Sequence, residues 1–234
     1  MKRSAKLLLF SSLIGSLLQQ ILATCGSRLE PCSHASQSMV DGIFHWLPGS
    51  ALSFSCTDPQ GRVLWTYNKA HPVPGLEHIA PGDGNVPVVD TPYGRLATVI
   101  CFDADFPNLI HQAGSKGVDI MLVPALDWPG IDPWHTENAT FRAIEDGYSL
   151  VRQTSNGLAM TVDYEGHVLA ATDSFTTNQQ TMIASVPVQG VWTIYAHVRD
   201  LFVWLCIAGL VLLMGFVAFT SGVLRGGCCQ SSLK

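Results

Sequence analysis

The stretch LATVICFDADFPNLIHQAGSKGVDIMLVPAL, residues 96–126, decides the fold class of this chain. It opens with LATVICF, a continuous apolar run of the kind that fits a strand buried on both faces. PNLIHQAGSKG then reads as a short helix, with proline where a helix can begin and glycine where it must stop. VDIMLVPAL is a second buried strand. Two such strands joined through a helix imply a parallel or mixed sheet with helices on its face. Cys101 closes the first run, at the carboxyl end of a strand, where sheets of this kind gather their functional groups.

The same alternation continues on both sides. Downstream, HTENATFRAIEDG predicts an amphipathic helix with Ala139, Phe141 and Ile144 toward the core, followed by the strand YSLVRQTS. GLAMTVDYEGHVLAAT predicts a hairpin turning at residues 164–167, and TMIASVPV one more strand. Upstream, ALSFSCTDPQGRVLWTY predicts a hairpin turning at residues 58–61. NKAHPVPGLEHIAPGDGNVP, dense in proline and glycine, is a long irregular loop, and long loops within compact domains usually carry function. The architecture is α/β.

With 47% hydrophobic and only 13% charged residues, the chain is more apolar than a soluble domain of its size requires. Two segments hold the excess. LLLFSSLIGSLLQQILA, residues 7–23, follows Lys2, Arg3 and Lys6 and has the charge pattern of a signal peptide or signal anchor. LFVWLCIAGLVLLMGFVAF, residues 201–219, is free of charge and long enough to cross a hydrocarbon core of about 30 Å. Positive residues outside both segments place the two termini in the cytoplasm and the middle of the chain on the extracytoplasmic side of the cell membrane. The net charge of −5 includes no basic block, which excludes a nucleic-acid partner. No histidine pairs with cysteine or carboxylate at metal-ligand spacing, so no metal and no cofactor are expected. Cys25, Cys32 and Cys56 could pair in an oxidising compartment, with no combination preferred.

Cysteine chemistry depends on the thiolate fraction, which a nearby cation, base or helix start raises. Asp105-Phe106-Pro107 begins a helix directly after Cys101. In the upstream loop, YNKAHPVPGLE sets Lys69, His71 and Glu77 among stiffening prolines. A lysine, a glutamate and a cysteine brought together are the parts of an acyl-transfer site.

These motifs carry a resemblance. From about Ala51 to the last helix, the chain resembles the nitrilase (carbon-nitrogen hydrolase) superfamily, in its apolipoprotein N-acyltransferase-like branch. The family's Y-x-K-x-H-x-V-P-x-x-E stretch matches Tyr67 to Glu77, and its C-[YF]-[DE]-x-x-F-P stretch matches Cys101 to Pro107. RAIEDGYSLVRQTSNG, residues 142–157, and GVWTIYAHVRD, residues 190–200, resemble two further family segments in the same order. The resemblance implies Cys101 as nucleophile and Lys69 as the oxyanion-stabilising cation, with Glu77, Phe102 and Asp103 in support. It also implies a phospholipid acyl donor and a lipoprotein acceptor, both membrane-borne.

The family's general-base glutamate has no counterpart, since Glu30 follows no strand, and Asp103 and Asp105 are the carboxylates nearest to stand in. The expected domain is therefore a nitrilase-like α-β-β-α sandwich lacking its first part, over residues 51–198. Around it the reading sets a signal anchor or signal peptide at 1–25, a linker or remodelled segment at 26–50, a membrane helix at 199–221 and a short cytoplasmic tail at 222–234. A catalytically silent remnant and an amidohydrolase acting on a small carbon-nitrogen substrate are the alternative functions.

Overall fold

A computed structural model describes the backbone of residues 4–10, 20–24, 41–46, 51–57, 60, 62–177 and 181–227, with side chains described between 51 and 220. Two six-stranded sheets organise the unit that ends at Ala196. One is mixed and contains β6 (Val88–Thr91), β7 (Gly94–Thr98), β8 (Ile120–Ala125), β9 (Ser149–Thr154), β10 (Leu158–Val162) and β11 (Val168–Asp173). Its centre, β7, β8 and β9, is parallel; the flanking pairs are antiparallel.

Every residue of β8 and β9 is buried, as their unbroken apolar runs require for strands covered on both faces. The helix α1 (Pro107–Ser115) provides the crossover from β7 to β8, and α2 (Trp134–Asp146) the crossover from β8 to β9. The latter packs on β9 and β10 and against α1.

The sequence places Phe141 and Ile144 of α2 in the core, and the structure corrects both: Phe141 is 61% and Ile144 39% exposed. The buried stripe is Thr136, Ala139, Ala143 and Asp146. Small side chains at helical spacing bring α2 close to the sheet, and the bulky apolar residues fall outside that line of contact.

The second sheet is antiparallel, in the order β12 (Thr181–Pro187), β1 (Ser4–Phe10), β2 (Gln20–Thr24), β3 (Asp41–Trp46), β4 (Leu52–Thr57), β5 (Val63–Asn68). It reaches into two segments read differently from the sequence. The apolar stretch at 7–23 contributes strands β1 and β2 in place of one membrane helix, and β3 stands within the segment read as linker. Glu30, Cys25 and Cys32 lie outside the described residues.

The physical reason is pairing. An apolar run does not by itself separate helix from strand, and β12 alternates buried Met182, Ala184 and Val186 with outward residues, leaving a ladder that β1 completes over seven registered pairs. Phe54, Cys56 and Tyr67 from this sheet and Leu96, Met121 and Val151 from the other belong to one core.

The second unit, from His197, contains α3 (Leu201–Gly227). Leu201–Thr220 is 20 residues long with a mean hydropathy of 2.7, and none of it is buried, so by length and composition it can cross a membrane. The helix continues to Gly227, into the segment read as tail.

Candidate active site

Between β7 and α1 the chain turns sharply. Cys101 opens a 3₁₀ turn, Cys101–Asp105, with φ of 50°, a left-handed conformation that costs a non-glycine residue about 1 kcal/mol or more. The strain presents the sulfur at the carboxyl end of the parallel strands, 9% exposed, where Sγ lies 3.8 Å from the Leu126 carbonyl oxygen.

The lysine arrives from the other sheet. Lys69 extends the β4–β5 ladder, donating its backbone N–H to Leu52 O at 2.8 Å, and its carbonyl accepts from Gly82 N at 2.7 Å. Gly82 is required there, because a Cβ would collide with the carbonyl oxygen of Asn68. The Lys69 side chain is fully buried, and its ammonium donates to both Glu77 oxygens, at 2.7 and 2.6 Å. Glu77 Oε2 also accepts the Val73 N–H at 2.7 Å, which fixes the carboxylate within the proline-stiffened loop. An ammonium is buried at tolerable cost only when paired in this way.

Asp103 joins the lysine loop to the cysteine turn. Fully buried, it accepts Tyr67 Oη at 2.8 Å and the backbone N–H groups of Ala70, His71 and Ile100 at 3.3, 2.7 and 3.3 Å. Its bonded neighbours are thus the residues following Lys69 and the residue preceding Cys101. Burial pushes the Asp103 carboxyl above its ordinary value, against the pull of these donors, and pushes the Tyr67 phenol up too. His71 closes the junction by facing Asp103 Oδ1 through Nδ1 at 3.1 Å and stacking on Phe106 at 3.7 Å between ring centroids. Asp103→Asn replaces an acceptor-only group by one that turns an N–H₂ toward these donors. It is expected to cost about 2 kcal/mol, seen as a lower denaturant midpoint at unchanged slope.

On the other side of the sulfur lies a cluster that the sequence reading did not assemble. His135, at the start of α2, faces Asp105 through Nε2 at 3.0 Å and Asp127 through Nδ1 at 3.3 Å. Asp127, buried, also pairs with buried Arg152 at 2.8 and 3.1 Å, and Arg152 donates to Thr136 and Thr154 at 2.8 Å each. Phe102 lies against the imidazole face, with centroids 6.0 Å apart, and Trp128 meets its edge.

Burial alone would lower the His135 pKa, but hydrogen bonds to Asp105, Asp127 and Cys101, with the charge of Asp105, raise it to about 11. For Asp127 burial acts upward, and the bonds from His135 and Arg152 outweigh it, holding the carboxyl below its ordinary value. Because the His135 pKa is raised on folding, its contribution to stability is complete below about pH 6.5 and is lost as pH rises toward about 11. The difference in unfolding free energy between the wild type and His135→Gln should therefore shrink steadily from pH 6.5 to pH 10, measured by denaturant titration.

One donor atom each from Cys101, Asp127 and His135 lies within 4.8 Å of the others. With both ring nitrogens turned to carboxylates, His135 is an imidazolium donating twice and not a metal donor. Asp163, Glu165 and His167 form a second close group, on the β10–β11 turn, where His167 is internally bonded to Asp163.

The carbon-nitrogen hydrolase family matches residues 52–194 of the chain. An apolipoprotein N-acyltransferase of Shewanella oneidensis is 32% identical over 146 residues, covering 61% of this chain and 28% of that protein. A formamidase of Pseudomonas syringae pv. syringae is 34% identical over 123 residues, covering 48% and 36%. Among solved structures, a mutant of the amidase from Nesterenkonia sp. AN1, with the acetamide moiety of fluoroacetamide covalently added at its active-site cysteine, superposes with a TM-score of 0.53. It is 20% identical and covers 63% of this chain and 60% of that one, a likeness of fold. The chain thus spans under a third of the length of the N-acyltransferase relatives it matches. With the motifs around Lys69 and Cys101 inside the matched region and the two-sheet fold around them, the chain belongs to the carbon-nitrogen hydrolase family.

Proposed function

We propose that the chain is a membrane-tethered N-acyltransferase, moving a fatty acyl group from a phospholipid through a thioester on Cys101 to the N-terminal amine of a lipoprotein, on the extracytoplasmic face of the cell membrane. One observation carries this reading: a fully buried Lys69, paired with half-buried Glu77, is stitched through Asp103 to a strained cysteine, in a chain that also carries an exposed apolar helix of membrane-spanning length.

In the first half-reaction the Cys101 sulfur attacks the ester carbonyl carbon, a C–S bond forms, the ester C–O bond breaks, and the lysophospholipid leaves. Lys69 stabilises the oxyanion that develops on the carbonyl oxygen. In the second, the acceptor amine attacks the thioester carbon, an amide forms and the thiol returns. A membrane-borne donor and acceptor would explain a tether.

Hydrolysis of a small amide is the second reading, favoured by the formamidase relative. To separate the two, the purified chain is incubated with phosphatidylethanolamine vesicles and examined by mass spectrometry for an acyl adduct on Cys101. A diacylglyceryl-cysteine lipopeptide is then added. An adduct that the lipopeptide consumes supports acyl transfer; no adduct, with ammonia released from formamide, overturns it in favour of the amidase.

A further inference from the structure

We propose that the outward face of α2, continued by residues 191–194, docks into the interfacial layer of a lipid bilayer. The inference rests on the membrane tether of the acyl-transfer reading and not on its chemistry. The helix buries a stripe of small residues against the sheet and turns Trp134, Phe141 and Ile144 away from it. Val191, Trp192 and Ile194 follow as exposed apolar residues, and Trp134, Trp192 and Ile194 are each 67% exposed. Apolar residues scattered singly over a surface are ordinary; six gathered along one helix and its end, three of them aromatic, mark a contact surface.

The two parts of the patch are locked together. The Val191 N–H donates to the Gly147 carbonyl at 2.7 Å, directly after α2, and the Thr193 hydroxyl donates to the Glu145 carbonyl in the helix's last turn. Gly147 has a φ of 77°, and a Cβ on it would collide with the Val191 carbonyl oxygen, so glycine is what lets the segment lie this close. The Ala196 N–H closes the segment on Thr193 Oγ1 at 3.1 Å. The apolar side chains are thus presented from a fixed backbone, and docking need not order it.

Chain continuity and side-chain chemistry identify the occupant. Only residues 197–200 separate Ala196 from Leu201, where the apolar helix begins, and at about 3.6 Å per residue they reach no further than about 18 Å. Lipid is therefore within range of the patch. Tryptophan suits that boundary, with its ring among acyl chains and its N–H among headgroups. Arg142 and Glu145 neutralise each other at 2.8 Å, which leaves Glu137 as the carboxylate exposed on this side and favours zwitterionic lipid. At the other end of the face, Trp134 adjoins His135, whose ring meets Asp105 of the cysteine turn at 3.0 Å. A bilayer running along α2 brings phospholipid to the turn that carries Cys101.

Photocrosslinking tests the face without any acyl transfer. The full chain is reconstituted in phosphatidylcholine vesicles as Phe141→p-benzoylphenylalanine or Trp192→p-benzoylphenylalanine, a residue that on irradiation captures C–H bonds within reach. The same replacement at Val63, equally exposed on β5 of the other sheet, gives the background, and at Phe216, inside the apolar helix, the reference for lipid contact. Peptide mass spectrometry reads lipid adducts at each position and separates them from an acyl group on Cys101. Capture at 141 and at 192 should exceed that at 63 at least tenfold and approach that at 216. Capture at 216 with either 141 or 192 at the level of 63 would overturn the proposal and leave the tether standing; no capture at 216 would remove the tether and the proposal with it. Dimers crosslinked through 141 in place of lipid adducts would assign the face to a second copy of the chain and overturn the proposal as well.

Discussion

Cys101→Ala is expected to abolish acyl-adduct formation and transfer, a loss of at least about 10³-fold, while the protein unfolds with the wild-type denaturant slope. The effect is large because the covalent intermediate has no alternative atom on which to form. The substitution removes a sulfur whose polar contacts are the Leu126 carbonyl at 3.8 Å and His135, and it leaves the Cβ in place, so the fold is retained. It also keeps a Cβ in the left-handed conformation at φ of 50°, so the strain of the turn is inherited unchanged. Intact mass after incubation with phospholipid vesicles reads the result directly. Acyl label retained by Cys101→Ala at the wild-type level would show that the adduct forms elsewhere and would remove the cysteine from the mechanism.

The central sheet was legible because its strands are buried on both faces. IMLVPA and SLVRQT permit little besides interior strands, and the proline and glycine around α1 punctuate the crossover. The first fifty residues were not legible in the same way. A run such as LLLF reads as membrane or strand according to what lies beside it, and its partner, β12, is more than 170 positions away in the chain. No local pattern reports a pairing over that distance. The inward assignment of Phe141 and Ile144 failed for a related reason. Helical periodicity marks a face but not how close the sheet approaches, and Ala139 and Ala143 fit the closer line.

At the site, Lys69, Glu77 and Cys101 were singled out by the family motifs, and the structure pairs Lys69 with Glu77. Asp103 was read as support and as a stand-in carboxylate, whereas its burial and its bonds to Tyr67, Ala70, His71 and Ile100 make it the link between the lysine loop and the cysteine turn. His135 escaped altogether, because its partners Asp105 and Asp127 stand on a turn and a loop with no sequence spacing in common. The one available signal was Asp127 ahead of Pro133-Trp134-His135, an acid and a histidine eight positions apart at the entry to a helix.

The second large effect belongs to Lys69. Lys69→Met keeps the length of the side chain and removes its charge, so the oxyanion of each tetrahedral intermediate loses its cation; a fall in acyl transfer of about 10²–10³-fold is expected. The same change leaves Glu77 without its ammonium. Breaking a buried pair from one side costs about 3–5 kcal/mol where both groups are enclosed, but the Glu77 side chain is 27% exposed and can take up water. The stability loss should therefore lie well under that range. Pairing Lys69→Met with Glu77→Gln separates the two effects. The double variant removes both charges, so it should recover most of the lost stability and none of the lost transfer, with denaturant midpoints and single-turnover acylation read on the same preparations. Recovery of transfer alongside stability would reduce Lys69 to a structural counter-ion and leave the oxyanion to backbone N–H groups alone.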